Sequence, residues 1–257
     1  MESTTTDHDF FAPIQSRSLK DIFIERFEAL ILSGKFKPGE RVPSERELGA
    51  LFNVSRPVVH EGLRTLEGRG LVTIESRKGV RVNDYRKEGS IEMLLSILNY
   101  SGGKLSPELM NGVLEMRLLF EVETARLAAI RRTSEQLSEL SYILDREQAL
   151  KESENTKVIN NGNRFTSMIQ LDYDFHLAVA LASGNEIYPL LLNSFKGIYR
   201  HILEIFYSQI PTIVPILDLH KSIVNAIRDR DEDGAKHAME RLLEYGESNL
   251  RTMITPS

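Results

Sequence analysis

The spacing of apolar residues changes once within the first third of this chain, from a helical period to an alternating one. Three stretches carry apolar residues every three to four positions, and they begin near Leu19, Ser44 and Ser55. Beyond Gly70, apolar and polar residues alternate on both sides of a turn at residues 75–79, which is typical of a β-hairpin. The pattern therefore predicts three short helices followed by a two-stranded hairpin.

The third of these helices has one apolar face and one polar face. At about 100° per residue, Arg56, His60 and Arg64 form a stripe on one side. The opposite side carries Val58, Val59, Gly62, Leu63 and Leu66. Followed by a hairpin with the basic tip Lys78-Gly79, this helix predicts a winged helix-turn-helix, which places the helix N-terminus in the major groove of DNA. The alternative is that the charged stripe is the solvated surface of an ordinary three-helix bundle.

Charge is unevenly distributed along the chain, whose formal net charge is −5. Residues 14–82 carry 13 Lys and Arg against 9 Asp and Glu, a net charge of +4. The preceding residues carry −3 and the following ones −6. Only a DNA-reading unit has to meet phosphates, so a basic head on an acidic body favours DNA binding by the head.

Composition excludes several other classes of protein. The chain has no cysteine, which excludes disulfides and thiolate metal sites and leaves His and carboxylates as metal ligands. No apolar run approaches the ~20 residues that a membrane span needs. Residues 1–13 lack the basic and apolar segments of a secretion signal. We therefore expect a cytoplasmic protein that has no membrane partner.

The 257 residues suit two compact domains, each able to bury its own core. We expect a disordered tail over residues 1–13, the winged helix-turn-helix over 14–84, a charged linker over 85–90, and an all-α antiparallel bundle over 91–252. The fold class is mainly α, with six or seven helices in the bundle. Helical segments are predicted near 90–100, 106–131, 134–152, 164–183, 186–209, 212–229 and 231–252.

The motifs of the head resemble those of the GntR family of bacterial repressors over residues 16–84. The resemblance rests on KPGERVPSEREL at 37–48, VSRPVV at 54–59 and LRTLEGRGL at 63–71. It implies contacts to a palindromic double-stranded DNA operator. The expected contact residues are Arg46, Ser55, Arg56, Pro57, His60, Arg64, Lys78 and Gly79. The sequence departs from the family at His60, where an arginine is usual, so either the base read there differs or the contact is weaker.

The rest of the chain resembles the FadR-type sensor, the FCD domain, over residues 91–250. The resemblance rests on EMRLLFE at 115–121, DYDFH at 172–176, SGN at 183–185 and AIRD at 226–229. It implies a homodimeric, ligand-responsive transcription factor, most often a repressor. The effector is expected to be a small molecule of carboxylate or acyl type.

A possible metal site follows from the spacing of two residues in the sensor. Asp172 and His176 lie four residues apart on one predicted helix and project from the same face. In many relatives, this pair and two later histidines hold a divalent metal; here His220 is retained and Leu242 occupies the fourth position. Three ligands completed by water are compatible with Zn²⁺ or Ni²⁺. The alternative is a buried, hydrogen-bonded cluster that lines a metal-free pocket.

The effector pocket is expected to include Arg117, Asn185 and Leu242. Arg117 lies on a helix otherwise rich in Leu and Ala. Its guanidinium would either receive an anionic effector or pair with Glu115 or Glu121 on the same helix.

Two other classes of function are compatible with parts of the sequence. One is a metal-dependent enzyme that uses Asp172, His176 and His220 around an activated water. That interpretation leaves the head unexplained, and no positioned general base or phosphate loop accompanies these residues. The other is an architectural DNA binder without an effector, which does not account for polar residues inside a helical bundle. The sequence therefore favours a ligand-responsive regulator and predicts no catalytic residues.

Overall fold

The computed structural model describes residues 18–90, 93, 96, 97, 106–153, 161–209 and 213–254. The chain divides into two compact units, Met1–Tyr100 and Ser101–Ser257. The tail predicted over 1–13 and most of the helix predicted near 90–100 lie outside the described residues. The elements of the first unit are α1 (Leu19–Leu32), α2 (Glu45–Phe52), α3 (Arg56–Gly68), β1 (Val72–Glu75), β2 (Gly79–Val82) and α4 (Tyr85–Glu88).

This order confirms the predicted winged helix-turn-helix. Helix α2 begins with a capping box, in which the Ser44 hydroxyl accepts from the N–H of Glu47 and the Glu47 carboxylate accepts from the N–H of Ser44. Ser55 is the N-cap of α3, as expected, but its hydroxyl makes no capping hydrogen bond.

The wing consists of the predicted two-stranded hairpin, and an isolated β-bridge joins Arg41 to Arg81 on its outer edge. Strands β1 and β2 are antiparallel, with Val72 opposite Val82. The residues before α2, which the sequence marked only as a turn, pair with the other edge of β2. The N–H of Val42 donates to the carbonyl of Val80 at 3.0 Å, and the N–H of Val82 donates to the carbonyl of Glu40 at 2.9 Å. The segment is too short to show an alternating pattern in the sequence.

The predicted linker over 85–90 contains a single helical turn, α4. Asp84 caps this turn by accepting from the N–H of Arg86, and Tyr85 packs against the core of the head. Gly70 allows the close approach of this segment. It has a φ of +76°, and a Cβ there would lie 1.9 Å from the carbonyl oxygen of Glu88. The charged composition of these residues indicated a linker and gave no sign of a helical turn.

The described residues of the second unit form seven helices and no strand. The helices are α5 (Pro107–Arg131), α6 (Ser134–Ser153), α7 (Asn161–Ala182), α8 (Ile187–Ser194), α9 (Lys196–Gln209), α10 (Val214–Asp229) and α11 (Glu232–Ile254). Helix α5 contacts α7, α10 and α11. The single helix predicted over 186–209 is wrong, because the chain breaks into α8 and α9 at Phe195. Phenylalanine does not usually end a helix, and the helical spacing of apolar residues continues through Phe195. The sequence therefore gives no sign of the break.

Within the described ranges, no helix is long and apolar enough to cross a membrane.

Candidate DNA interface and sensor cavity

Helix α3 presents the predicted polar stripe to solvent. The side chains of Arg56, His60 and Arg64 are 75%, 45% and 60% exposed. The reverse face is fully packed: Val59, Gly62, Leu63 and Leu66 are buried against the rest of the head. Gly62 lets α1 and α3 approach each other closely, since a Cβ there would lie 2.4 Å from a ring carbon of Phe23. The core thus fixes the rotation of α3 and keeps the stripe outward.

A carboxylate that the sequence analysis did not identify holds two residues of this stripe. Glu45, the first residue of α2, accepts from Nε of Arg56 at 3.0 Å, and its other oxygen lies 2.7 Å from Nδ1 of His60. The hydrogen bond with His60 lowers the pKa of Glu45 by more than partial burial raises it, and Arg56 adds to the lowering. Glu45 therefore orients both side chains from the neighbouring helix.

The remaining residues expected at the DNA interface lie on the surface of the head. Arg46 is exposed on α2, and Ser55 and Pro57 are exposed at the start of α3. Lys78 and Gly79 are exposed at the tip of the wing. Contact of these residues with DNA stays a prediction.

In the sensor, three polar residues predicted from spacing are brought together and buried. Asp172 and His176 lie on α7, and His220 lies on α10. They are 5%, 3% and 0% exposed. The centroids of the two imidazole rings are 5.8 Å apart, and the ring of Phe175 stacks on His220 at 3.7 Å.

Two glutamates on other helices pair with these histidines. Glu121 on α5 contacts Nδ1 of His176, and Glu147 on α6 lies 2.8 Å from Nδ1 of His220. Burial, the largest single effect, lowers the pKa of His220, but the charge and hydrogen bond of Glu147, together with the charges of Asp172 and Glu121, raise that pKa overall. Each histidine is therefore oriented through its Nδ1 atom by a buried carboxylate.

Asp172 and Arg117 extend this cluster. The hydroxyl of Tyr207 donates to Oδ2 of Asp172 at 2.6 Å. Arg117 forms an ion pair with Glu121 at 2.6 Å, which is one of the two arrangements expected for Arg117. Its Nη2 donates to the hydroxyl of Tyr199 at 2.6 Å. Burial, the largest single effect, raises the pKa of Glu121, but the charges and hydrogen bonds of Arg117 and His176 together lower it to about 2.

One small cavity connects this cluster to apolar side chains of α9, α10 and α11. It measures about 30 Å³ and is lined by Arg117, Asp172, His176 and Leu242 together with aliphatic and aromatic residues. Leu242 thus faces the same space as the Asp172–His176 pair, as its position in the sequence suggested. Asn185, expected in the effector pocket, does not line this cavity. Its side-chain oxygen accepts from the N–H of Ile187 at 3.0 Å, where α8 begins.

The chemistry of these donors suits a metal, but their spacing does not. Oδ1 of Asp172 and Nε2 of His220 are buried and have no hydrogen-bond partner. Glu147 orients the opposite nitrogen of His220, as carboxylates do for many metal-ligating histidines. However, the residues that the structure describes contain no group of three or more His, Asp or Glu side chains arranged to hold a metal ion. Binding a metal would require these side chains to move closer together.

Comparison with known proteins identifies both units. Residues 22–82 match the bacterial regulatory proteins of the gntR family, and residues 112–245 match the FCD domain. The HTH-type transcriptional regulator Mce2R of Mycobacterium tuberculosis is 31% identical over 242 residues, which cover 94% of this chain and 95% of Mce2R. The chain belongs to the GntR family.

Other relatives agree with this assignment. The HTH-type transcriptional repressor NanR of Cronobacter sakazakii is 32% identical to this GntR-family chain over 243 residues, covering 89% of the chain and 84% of NanR. A solved structure of Lar, described as controlling the expression of the Listeria monocytogenes agr system, shares the fold with a TM-score of 0.56 at 14% identity. It covers 93% of this chain and 99% of Lar. The prediction of a DNA-binding transcriptional regulator is confirmed, and the enzyme alternative is wrong.

Sequence reasoning missed most partners of the site residues in this GntR-family regulator. Glu45, Glu121 and Glu147 each contact a predicted histidine from a different helix. Glu121 was expected as a partner of Arg117, four residues before it on the same helical face, but its contact with His176 was not expected. No spacing rule connects Glu147 to His220, which lies 73 residues further along the chain.

Proposed function

We propose that this GntR-family regulator is a dimeric repressor that binds a palindromic operator through α3 and the wing and responds to a ligand in the sensor cavity. The observation that carries the proposal is the exposed stripe of Arg56, His60 and Arg64, fixed outward by a fully packed reverse face. A helix held in this way can present the same three side chains to base edges each time it meets DNA. Similarity to NanR, an HTH-type transcriptional repressor, supports repression rather than activation.

Within this stripe, Arg56 is suited to reading guanine. Bidentate contact to guanine O6 and N7 uses the terminal nitrogens of arginine. Glu45 engages Nε of Arg56 instead, so it orients the guanidinium without taking both terminal nitrogens. His60, held by the same carboxylate, offers a shorter and more weakly charged side chain than the arginine usual in the family. We expect it to read a base by hydrogen bonding with less dependence on salt.

The sensor cavity suits a ligand that has an anionic head and an apolar body. Arg117 supplies positive charge at one end, and Ile202, Phe206 and Leu242 supply apolar walls. A volume of about 30 Å³ holds one or two waters but no organic acid. Ligand binding therefore requires the aliphatic walls to move, and it would exchange part of the Arg117–Glu121 pairing for contact with the ligand head.

A more specific part of this proposal is that the sensor cavity also binds a divalent metal. Asp172, His176 and His220 would hold Zn²⁺ or Ni²⁺ only after moving closer together than they lie here, and the bound ion would then supply a Lewis acid for the ligand carboxylate. Leu242, which lines the same cavity, would stand where a fourth ligand belongs. Leu242→His should therefore strengthen metal binding by ~10-fold or more, since even outer-shell partners are worth about that much. Titration calorimetry on metal-stripped protein, wild type against variant, measures this. Equal affinities would place Leu242 outside any metal site.

The main proposal is tested by DNA binding. Selection from a random duplex library gives the preferred operator, and a footprint shows whether one or two half-sites are protected. Arg56→Ala should lose specific binding while retaining nonspecific binding and its fold, because a bidentate guanine contact is worth about 1–3 kcal/mol of discrimination. Equal loss of specific and nonspecific binding would contradict the base-reading role. Protection of a single half-site by a monomer would contradict the dimer.

The ligand is found by its effect on stability. A thermal-shift screen of small carboxylates, with and without added Zn²⁺, detects any compound that binds the folded state, because such binding raises the apparent melting temperature. A hit must then change mobility of the operator complex. Hits that stabilise the protein but never alter operator binding would contradict a ligand-responsive regulator and would favour a DNA binder that is insensitive to ligands.

A further inference from the structure

Two residues of the exposed stripe on α3 share one carboxylate. Oε2 of Glu45 accepts from Nε of Arg56 at 3.0 Å, and Oε1 lies 2.7 Å from Nδ1 of His60. Glu45 is the first residue of α2, so it reaches both side chains from a neighbouring helix. Each carboxylate oxygen therefore has a partner of its own on α3.

The contact with Glu45 decides which nitrogen of His60 carries hydrogen. The pKa of Glu45 is lowered, chiefly by the hydrogen bond with His60; partial burial raises it, and Arg56 lowers it further. The carboxylate is therefore ionised at neutral pH and has no proton to donate. The short contact must then be a hydrogen bond from Nδ1–H of His60 to Glu45. In a neutral imidazole only one nitrogen carries hydrogen, so Nε2 of His60 keeps its lone pair and is an acceptor.

The hydrogen-bonding role of Nε2 limits the bases that His60 can read. The side chain is 45% exposed, and its Nδ1 edge is turned towards Glu45, so the Nε2 edge is the one left to meet DNA. An acceptor matches an amino group, and the amino groups of the major groove are N6 of adenine and N4 of cytosine. O6 of guanine and O4 of thymine are acceptors, which would place one lone pair against another.

From this geometry we propose that Glu45 is a positioning residue that makes His60 read a base with an amino group, adenine or cytosine, in each half-site of the operator. This inference rests on the proposed function, because it requires α3 to lie in the major groove. It gives opposite hydrogen-bonding roles to two residues one helical turn apart. Arg56 donates to guanine, whereas His60 accepts from an amino group, and one carboxylate orients both.

The first test removes single groups from the DNA. Operators are selected from a random duplex library at about pH 8.5, above the range in which an unperturbed imidazole changes charge. The base pair whose preference disappears in His60→Ala is the one that His60 reads. Replacing its adenine by purine, or its cytosine by 2-pyrimidinone, removes only the amino group. This replacement should weaken wild-type binding about 3- to 10-fold per half-site, which is the effect of one hydrogen bond.

Two controls accompany the base analogues. The same replacement should leave the affinity of His60→Ala unchanged, which corrects for any effect of the analogue on the duplex itself. A 7-deaza purine at the same pair removes an acceptor instead of the amino group, and it should leave wild-type binding unchanged. Dissociation constants from fluorescence anisotropy measure each effect.

The second test changes the group that holds His60. In Glu45→Gln, the carboxamide oxygen should keep the contact with Nε of Arg56, because that contact needs an acceptor. The carboxamide nitrogen then faces Nδ1 of His60 and donates to it, which moves the ring hydrogen to Nε2. Glu45→Gln should therefore select guanine or thymine in place of the amino-bearing base, and it should keep the base pair read by Arg56. A purely structural role of Glu45 would leave the selected base unchanged.

Two further variants calibrate this result. Glu61 lines the same surface hollow as Glu45 and His60, so Glu61→Gln removes the same charge while Nδ1 of His60 keeps its partner. This matched control should select the wild-type base pair. His60→Arg can only donate, so it should select guanine at the same pair. Circular dichroism and melting temperature establish that each variant is folded.

The outcomes separate this inference from the proposed function. A wild type that selects no operator overturns both. A wild type that binds its operator equally well without the amino group, or with the same base preferences as His60→Ala, overturns the role of His60 but leaves the operator-binding regulator standing. The same holds if Glu45→Gln selects the wild-type base pair. If Glu45→Gln fails to fold, the base analogues with wild type and His60→Ala alone decide.

Discussion

The buried pair of Arg117 and Glu121 allows a sharp test of what holds the sensor together. The two side chains are 10% and 3% exposed, and their charged atoms are 2.6 Å apart. Arg117→Met keeps most of the volume and removes the charge, which leaves the Glu121 carboxylate buried with His176 and Tyr199. Breaking a buried pair in this way costs about 3–5 kcal/mol. At roughly 2–4 °C per kcal/mol for a domain of this size, the sensor should melt about 6–20 °C lower.

Removing both charges should restore most of this loss. In the double variant Arg117→Met, Glu121→Gln, no unpaired charge stays buried, and neutral replacements of a buried pair are often close to neutral in stability. The coupling energy between the two positions should therefore be about 3 kcal/mol or more in a double-mutant cycle. Scanning calorimetry is the suitable assay, because it resolves the unfolding of the sensor from that of the head.

A matched surface pair supplies the control. Glu247 and Arg251 are also four residues apart and also 2.6 Å apart, but their side chains are 33% and 52% exposed. Arg251→Met should cost less than about 1 kcal/mol, since water screens exposed pairs. The reasoning fails if Arg117→Met costs no more than Arg251→Met, or if the costs of the two single changes simply add in the double variant.

Three further expectations concern the head. Lys78→Ala at the wing tip should weaken binding to all duplexes alike and reduce the salt slope by about one, measured by filter binding at several salt concentrations. Gly70→Ala should lower the free energy of unfolding by ~2 kcal/mol or more, because its φ is positive and the new Cβ would meet the Glu88 carbonyl at 1.9 Å; an unchanged urea midpoint would contradict this. Because the pKa of Glu45 is lowered in the folded protein, its carboxylate contributes fully to the free energy of unfolding above pH 4.5. This contribution is lost as pH falls through the folded pKa. The stability of wild type relative to Glu45→Gln should therefore decline in urea titrations between pH 6 and pH 3.

The parts of the fold that local rules govern were predictable from the sequence. The faces of α3 follow from a 3.6-residue period, and the capping box at Ser44 and Glu47 is a local hydrogen-bonding pattern. The isolated bridge between Arg41 and Arg81 was not predictable, because its two residues lie forty positions apart and the segment before α2 is too short to show a pattern. The break between α8 and α9 at Phe195 likewise carries no local signal.

In the sensor site too, local contacts were predictable from the sequence and contacts between distant residues were not. The spacing of Asp172 and His176 placed both on one face of α7, and the structure brings His220 beside them. Sequence alone did not reveal that Glu121 and Glu147 would orient the two histidines, because those contacts depend on how α5 and α6 pack around α7. The spacing rule for a metal also says nothing about distances across the bundle, where the donors of the described residues stand too far apart for one ion.

Helix α5 connects the buried cluster of the sensor with its outer surface. Arg117 and Glu121 face the buried cluster, while the intervening Leu118 and Leu119 face solvent. The hollow beside Leu119 reaches Arg117, Glu121 and Tyr199 from the outside, so the same three residues border both the cluster and this surface hollow. The cavity of about 30 Å³ must widen to admit an organic acid, and a close-packed interior responds by shifting whole elements rather than by local compression. A shift of α5 moves its outer leucines with its inner charges. We therefore expect ligand binding to change any contact that this outer surface makes, and by thermodynamic reciprocity that contact must change the ligand affinity by the same factor.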